Sequence, residues 1–269
     1  MAQVMAQTLR RAIGGPAAGW RRLPVPARLG LVFVGLVVLV GVVAPLLVTV
    51  DPTAVALAPA SHGPDGQFWF GVDRLGRDVY SRLVAGTRRS LVVGIGSAGL
   101  ALLVGAILGA LAATSGRLVD EIIMRVLDVV MAFPTIVLAA ILVVAYGNGD
   151  LTVLVFAIGF VFMPQMARIV RANVMAQYGE DYVAAEKVIG ARRAYIVLRH
   201  VAVNCMAPVM VFATVMVAEA IIFEASLSFI GAGVQDPDPS WGSVLAYGRQ
   251  ILLAGGWWAT FFPGLALLI

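Results

Sequence analysis

Residues 176–204 read AQYGEDYVAAEKVIGARRAYIVLRHVAVN, a charged stretch of helix-forming residues between two long apolar runs. In a membrane protein, a connection this rich in charge lies in water at one surface of the bilayer. A membrane protein needs so many charges between two spans only if that connection meets another component in water. The stretch therefore predicts a membrane protein in which residues 168–200 form a water-exposed loop that binds another component.

The composition of the whole chain agrees with a membrane protein. Of its 269 residues, 61% are hydrophobic and 13% are charged. Soluble domains contain roughly 45–50% apolar and about 25% charged residues. Several uncharged runs also reach the ~20 residues that cross a ~30 Å hydrocarbon core. We therefore predict an all-α, polytopic bundle of membrane helices.

Several kinds of site are excluded because the residues they need are missing. The sole lysine, Lys187, precedes Val188 and not Ser or Thr, so the chain has no Walker A motif for ATP. The single cysteine, Cys205, cannot form an intrachain disulfide, and no Cys/His pair has zinc-ligand spacing. No serine-hydrolase elbow or His-Glu-x-x-His motif is present. We expect no enzyme activity and no cofactor in this chain. We also expect no nucleic-acid binding, because the arginines flank apolar runs.

The apolar runs predict five complete spans and the beginning of a sixth. They cover about 29–50, 90–114, 129–146, 151–167 and 201–223, and the sixth begins near residue 251. If Trp257 and Trp258 lie at the bilayer interface, residues 259–269 rise only ~16 Å against the ~30 Å required. The last span is therefore expected to be incomplete.

One span carries a pattern for close helix packing. Gly105 and Gly109 stand at GxxxG spacing in the second apolar run. Small residues four positions apart let a neighbouring helix approach closely in a membrane. We therefore expect a second helix to pack against these two glycines.

The distribution of basic residues predicts the orientation. With the N-terminus inside, the cytoplasmic segments hold thirteen Lys and Arg residues and the outer segments hold six, in agreement with the positive-inside rule. A basic tail, 1–28, would then lie in the cytoplasm, followed by a transmembrane domain over 29–269. That domain would have an outer segment at about 51–89 and a cytoplasmic loop at about 168–200.

The cytoplasmic loop has the pattern of two short helices joined at a glycine. Glu180 and Asp181 stand where acidic residues favour the start of a helix. Gly190 can adopt the left-handed conformation that ends one. A second helical stretch follows, from Arg192 to about Arg199. An amphipathic loop lying on the membrane surface would have the same pattern, so the pattern alone leaves both interpretations open.

Within this loop, residues 182–190 read YVAAEKVIG and residues 199–204 read RHVAVN. They resemble the EAA loop of bacterial ABC importer permeases of the peptide and nickel branch, which usually reads YVEAAxxLG and then RHILPN. The glutamate of that pattern is Ala184 here, its second alanine is Glu186 and its proline is Val203. The resemblance implies that an ATPase subunit binds this loop. The residues concerned would be Asp181, Tyr182, Ala184, Ala185, Glu186, Gly190, Ala191 and Arg199.

Three more stretches match the same branch in the same order. FGVDRLGRDVYSR at 70–82 resembles the segment after its first span, and residues 120–134 are similar to the beginning of its third span. EASLSFIG at 224–231, followed by PSWG at 239–242, is similar to its outer loop after the fifth span. Together the matches imply the fold of a type I ABC importer permease, with about six spans.

The outer segment mixes charges of both signs. Asp73 with Arg77, and Asp78 with Arg82, are spaced i, i+4 and would pair along a helix. Two interpretations are open for these four residues. They either brace the outer segment internally or contact an extracytoplasmic binding protein.

Three acidic residues fall within or beside the spans, where charges usually face a cavity or a partner. Asp128 lies near the inner boundary with Glu121 and Arg125 on one helix face, so a ladder of ion pairs is expected there. Glu219 and Glu224 lie near the outer end of the fifth span. Each of the three would be an intramembrane brace or a contact in a transport pathway.

The resemblance implies one subunit of an ATP-driven importer in the bacterial inner membrane. It would form the pathway with a second, homologous permease and receive dipeptides or oligopeptides from an extracytoplasmic binding protein. Two ATPase subunits, or one fused ATPase, would hold ATP and Mg²⁺. Nickel, glutathione or haem are alternative cargoes for the same scaffold. A self-contained channel or secondary transporter is the alternative from another class, and it would need polar ion-binding groups at broken helices near the midplane.

Overall fold

The computed structural model describes residues 24–147 and 149–268, which fold almost entirely into helices. A π-helical turn, Val197–Val201, connects two of the helices, so that Arg193–Phe229 runs as one continuous span. The predicted basic tail lies mostly outside the described residues. The helices are α1 (Val25–Leu47), α2 (Val79–Thr114), α3 (Arg117–Met131), α4 (Thr135–Tyr146), α5 (Leu151–Tyr178), α6 (Asp181–Val188), α7 (Arg193–Ile196), α8 (Ala202–Phe229), α9 (Trp241–Leu252) and α10 (Trp258–Leu268).

Four helical stretches in the described part of the chain are long and apolar enough to cross a bilayer: α1, α2, α5 and the joined α7–α8 helix. The predicted third span, 129–146, covers the end of α3 and all of α4, and these two helices are bent by 85° at the break between them. Pro134 directly precedes α4, and a proline lacks the amide proton that would continue the helical ladder. α10 is a shorter apolar helix of 11 residues.

The centre of the bundle is the parallel pair of α2 and α5, which pack along most of their length. A Cβ atom added to Gly109 would lie 2.4 Å from the carbonyl oxygen of Ala167, and one added to Gly105 would lie 2.9 Å from the Cβ of Met166. Only glycine therefore fits at these two positions. The close approach predicted from the GxxxG spacing is confirmed.

α8 packs against the same pair and completes the core. Fully buried side chains come from all three helices, and Val93, Ile158, Met166 and Met216 are each 0% exposed. Gly94 of α2 lies against α8, since a Cβ there would be 2.5 Å from a side-chain carbon of Ile221. The outward faces of the spans are aliphatic and exposed, as lipid-facing surfaces are.

The segment between α1 and α2 folds back onto the C-terminal helices. Phe70 stacks on Phe262 with ring centroids 3.9 Å apart. The indole nitrogen of Trp258 donates to the carbonyl oxygen of Val72 over 3.2 Å. The outer segment is therefore attached to the end of the chain as well as to α2.

Candidate functional site

Residues 179–201 form a bend between α5 and α8, which we call the elbow. α6 ends at Val188, and Gly190 has φ +82°, the left-handed conformation that the sequence predicts. The amide of Ala191 donates to the carbonyl oxygen of Glu186 over 3.0 Å and closes the turn. The predicted first helix and its left-handed glycine are confirmed, whereas the predicted second short helix is the beginning of the continuous span Arg193–Phe229.

The elbow is fastened to both neighbouring spans. Val183 is 0% exposed and Ile196 is 1% exposed, so each short helix anchors one aliphatic side chain in the bundle. The hydroxyl of Tyr182 donates to Gln177 of α5 over 3.1 Å and accepts from Asn204 of α8 over 3.3 Å. A displacement of the elbow would therefore move α5 and α8 together.

Glu186, which replaces an alanine of the family pattern, lies against the second half of the elbow. Its Oε1 atom is 3.3 Å from Nε2 of His200. His200 also meets Tyr195 edge to face, with ring centroids 5.5 Å apart. The substitution thus adds a polar contact between α6 and the π-helical turn.

The outward face of the elbow is apolar and exposed. Val188 is 87% exposed, Ile189 78%, Leu198 73% and Tyr195 53%. Exposed apolar patches mark surfaces that bind a protein partner or a membrane. An open groove of about 480 Å³ adjoins this face. The groove is lined by Glu186, Ile189, Gly190, Ala191, Arg192 and Tyr195.

The contact residues that the resemblance predicts are gathered on this elbow, and most of them face outwards. The exposed ones are Asp181, Ala184, Ala185, Gly190 and Arg199, and the half-buried ones are Tyr182, Glu186 and Ala191. The sequence does not identify the exposed apolar residues Val188, Ile189 and Leu198 as contacts. From the sequence alone, an apolar side chain in a short helix is as typical of a buried core position as of a contact surface.

In the outer segment, Arg77 is the centre of a buried ionic network. Its Nε atom donates to Asp73 and its NH1 atom donates to Asp236, each over 2.7 Å. Its guanidinium also lies 4.4 Å over the ring of Tyr247. Burial by itself would lower the pKa of Arg77, but Asp73 and Asp236 outweigh it and raise that pKa. The guanidinium is therefore charged at every working pH.

The predicted pair of Asp73 and Arg77 forms, although these residues make a turn and not a helix. One oxygen of Asp73 accepts from the amides of Leu75 and Arg77, over 2.8 and 3.1 Å, which fixes the turn. Burial raises the pKa of the Asp236 carboxyl, but bonds from Tyr247 and Arg77 outweigh it, and the pKa is lowered overall. The network therefore persists at neutral pH and is lost only as pH falls below the ordinary carboxyl range.

The predicted side-chain pair of Asp78 with Arg82 is wrong. α2 begins at Val79, so Asp78 is its N-cap, and its carboxylate accepts from the amide of Ser81 over 2.9 Å. Arg82 turns away and donates to the carbonyl oxygen of Pro52 over 2.9 Å. All four predicted residues of this segment are 1–3% exposed, an arrangement that favours the bracing interpretation.

The ladder predicted within α3 is also wrong. Asp128 pairs with Arg168 of α5, and Asp120 pairs with Arg171 of α5. The two aspartates are ~12 Å apart along α3, whereas their partners are ~4.5 Å apart along α5. α3 therefore crosses the C-terminal half of α5, and its charges tie the two helices together.

The two glutamates of α8 have opposite environments. Glu224 is 0% exposed, and its Oε1 atom accepts from Ser228 over 2.7 Å and from Ser240 over 2.9 Å. Since Ser240 is also the N-cap of α9, Glu224 joins α8 to α9 as a brace. Glu219 is exposed, and no hydrogen bond or ion pair joins it to the residues that the structure describes.

The comparisons with known proteins all match this chain to components of transport systems. Residues 101–269 match the family model described as "Binding-protein-dependent transport system inner membrane component". The chain is 40% identical over 242 residues to a putative peptide transport system permease protein of Brucella suis, covering 90% of this chain and 81% of that protein. It is 39% identical over 246 residues to the di/tripeptide transport system permease protein of Pseudomonas aeruginosa, covering 89% and 80%.

A third relative and one solved structure extend the comparison. The oligopeptide transport system permease protein of Bacillus subtilis is 35% identical over 237 residues, covering 88% of this chain and 77% of that protein. The inward-facing MetNI methionine ABC transporter has a similar fold, with a TM-score of 0.51 over 69% of this chain and 92% of that chain. Its sequence is 16% identical, so this likeness concerns the fold alone.

Proposed function

Since the chain belongs to the family of binding-protein-dependent transport system inner membrane components, we propose that it carries dipeptides or oligopeptides across the inner membrane together with a second, homologous permease. The predicted family and the type I ABC importer fold are confirmed. The peptide cargo is inferred from the names of the relatives, which are dipeptide, D,D-dipeptide and oligopeptide permeases. An extracytoplasmic binding protein would deliver the peptide to the outer surface.

The observation that carries the proposal is the exposed apolar face of the elbow. A soluble surface with Val188 and Ile189 more than three-quarters exposed gains stability when a partner covers it. We assign that partner as an ATPase subunit in the cytoplasm, where the positive-inside count places the elbow. ATP and Mg²⁺ would be bound by that subunit.

The contacts of the elbow suggest how force would reach the pathway. Closure of the ATPase pair would displace the elbow, and the bonds of Tyr182 to Gln177 and Asn204 would carry the displacement into α5 and α8. Both helices would then move as rigid bodies between inward-open and outward-open states. This subunit does no covalent chemistry in such a mechanism.

A charge placed on the elbow should separate the ATPase from the permease. We expect Ile189→Glu to lower the amount of ATPase that copurifies with the permease by about tenfold or more. Covering one such side chain contributes ~1.5–3 kcal/mol, and ~1.4 kcal/mol corresponds to a factor of ten. The measurement is copurification from membranes, followed by ATP-driven uptake of a dipeptide.

The matched control is Leu253→Glu. Leu253 is 102% exposed and lies between α9 and α10. In the proposed orientation it lies on the side of the membrane opposite the elbow. The Leu253→Glu variant should copurify with as much ATPase as the wild type and should take up the dipeptide at the same rate. Equal copurification of ATPase with both variants would contradict the assignment of the elbow.

A further inference from the structure

Glu219 is a carboxylate in a membrane-crossing helix without a partner among the residues described. It lies ten residues before the end of α8 at Phe229, which is ~15 Å along the helix axis, and it falls within the apolar run 201–223 that predicts the fifth span. Charged side chains at such positions face a water-filled cavity or a partner and not lipid, because transfer into hydrocarbon is costly.

Glu219 lies on an exposed side of α8 that is otherwise apolar. Val215 and Ile222, about one helical turn before and after Glu219, are 50% and 53% exposed. The carboxylate of Glu219 is therefore flanked by apolar side chains on this side of the helix.

The other side of α8 is buried, so Glu219 faces away from this subunit. Met216 and Ala220 are each 0% exposed, and they lie on the side of the helix that packs against the bundle. Only 22% of the most apolar window of the α7–α8 helix is buried, against 56% for α5. A pathway shared with a second permease would border this open side.

The surroundings of Glu219 favour a passage over a fixed contact between subunits. Helix interfaces inside membranes are built from small residues with reciprocal hydrogen bonds. Around Glu219 the exposed neighbours are Val215, Ala218 and Ile222, which offer no second polar group. The carboxylate thus lacks a protein partner on its own helix face, and a mobile cation can reach it through the pathway.

We propose that Glu219 binds the α-ammonium group of the peptide as it passes through the membrane. This inference rests on the proposed function, in which the cargo is a peptide with a free amino terminus. A carboxylate and an ammonium form a charge-assisted hydrogen bond, roughly twice as strong as a neutral one. Glu219 would therefore select cargo with a cationic end.

The test uses the complete transporter, reconstituted in liposomes with both permeases, the ATPase and the binding protein. Uptake of radiolabelled alanyl-alanine should fall about tenfold in Glu219→Gln, the factor that ~1.4 kcal/mol of lost binding produces. Glu219→Asp should recover part of the uptake. ATP hydrolysis stimulated by the binding protein should be unchanged, because the elbow is intact. Glu121→Gln, an exposed carboxylate on α3, should transport normally.

A second measurement places the residue in the pathway without relying on transport. The new thiol of Glu219→Cys should react with a charged, water-soluble methanethiosulfonate reagent, and alanyl-alanine with the binding protein should slow the reaction. Cys205 is 4% exposed and serves as the unreactive internal control when the other subunits are free of cysteine.

Three results would overturn the inference. The first is uptake by Glu219→Gln equal to the wild type. The second is a loss of assembled complex with normal uptake per complex, which would make Glu219 a contact between subunits. The third is an unreactive thiol in Glu219→Cys. A wild-type transporter that takes up no peptide would contradict the proposed function instead, and the labelling of Glu219→Cys would still decide whether the position faces water.

Discussion

Replacing Arg77 by methionine should destabilise the folded subunit by about 3–5 kcal/mol, the cost of removing one partner from a buried ion pair. Asp73 is 3% exposed and would remain as a buried carboxylate without its cation. Asp236 and the ring of Tyr247 would lose the same guanidinium. We expect little Arg77→Met protein in the membrane, and a markedly lower melting temperature for the purified fraction.

The matched control is Arg74→Met. Arg74 lies three residues away on the same segment but is exposed, and exposed charges contribute about 0–1 kcal/mol. Arg77→Lys should give an intermediate loss, since an ammonium does not reproduce the forked contact with two carboxylates. An Arg77→Met protein that melts within the error of Arg74→Met would show that the network does not stabilise the outer segment.

The outer network and Glu224 hold the same part of the molecule. Arg77 binds Asp236 in the loop after α8, and Glu224 binds Ser240 at the end of that loop. Gly242 packs so closely on α8 that a Cβ there would lie 2.4 Å from the Cα of Ala225. The ends of α2, α8 and α9 that are remote from the elbow are therefore fixed to each other, whereas the elbow exposes its apolar face. In the proposed mechanism, motion driven from the elbow would pivot about this attachment.

Local patterns in the sequence predict the features whose partners are close in the chain. A glycine after a helical stretch predicts the left-handed conformation of Gly190, which has φ +82°. The spacing of Asp73 and Arg77 predicts that they pair, and they do. Hydrophobic runs place the second, fourth and fifth spans within observed helices, because crossing a bilayer requires a minimum apolar length.

Sequence patterns do not predict contacts between residues that are far apart in the chain. Spacing assigns Asp128 to neighbours within α3, but it pairs with Arg168, forty residues away. Spacing likewise assigns Arg82 to Asp78, but Arg82 approaches Asp236 instead. Spacing rules for helices describe only contacts within one helix, and tertiary contacts decide which of several possible partners is used.

The bend between α3 and α4 escapes sequence reasoning for a related reason. Pro134 is evident in the sequence, but a proline in a span either kinks the helix or begins a new one. The choice depends on what holds the preceding helix. Here Asp120 and Arg171 fix α3 across α5, so that α3 and α4 meet at 85°. No pattern within residues 117–146 contains that information.

Replacing Gly109 by leucine should prevent the close packing of α2 and α5 and destabilise the bundle by about 3 kcal/mol or more, at the upper end of overpacking effects. The added Cβ would lie 2.4 Å from the carbonyl oxygen of Ala167 and 2.9 Å from the amide nitrogen of Arg171. Both atoms belong to the backbone of α5 and cannot rotate away, so the two helices would have to separate. The separation would also strain the ion pair of Arg171 with Asp120.

Gly99→Leu is the matched control on the same helix, since no atom lies within 4 Å of a Cβ added at Gly99. Leucine has a higher helix propensity than glycine by ~0.8–1 kcal/mol, so this variant should be as stable as the wild type or more stable. The measurement is the amount of each variant in the membrane and its melting temperature after purification. Equal stability of Gly109→Leu and Gly99→Leu would contradict the prediction. It would mean that α2 and α5 can separate without a loss of stability.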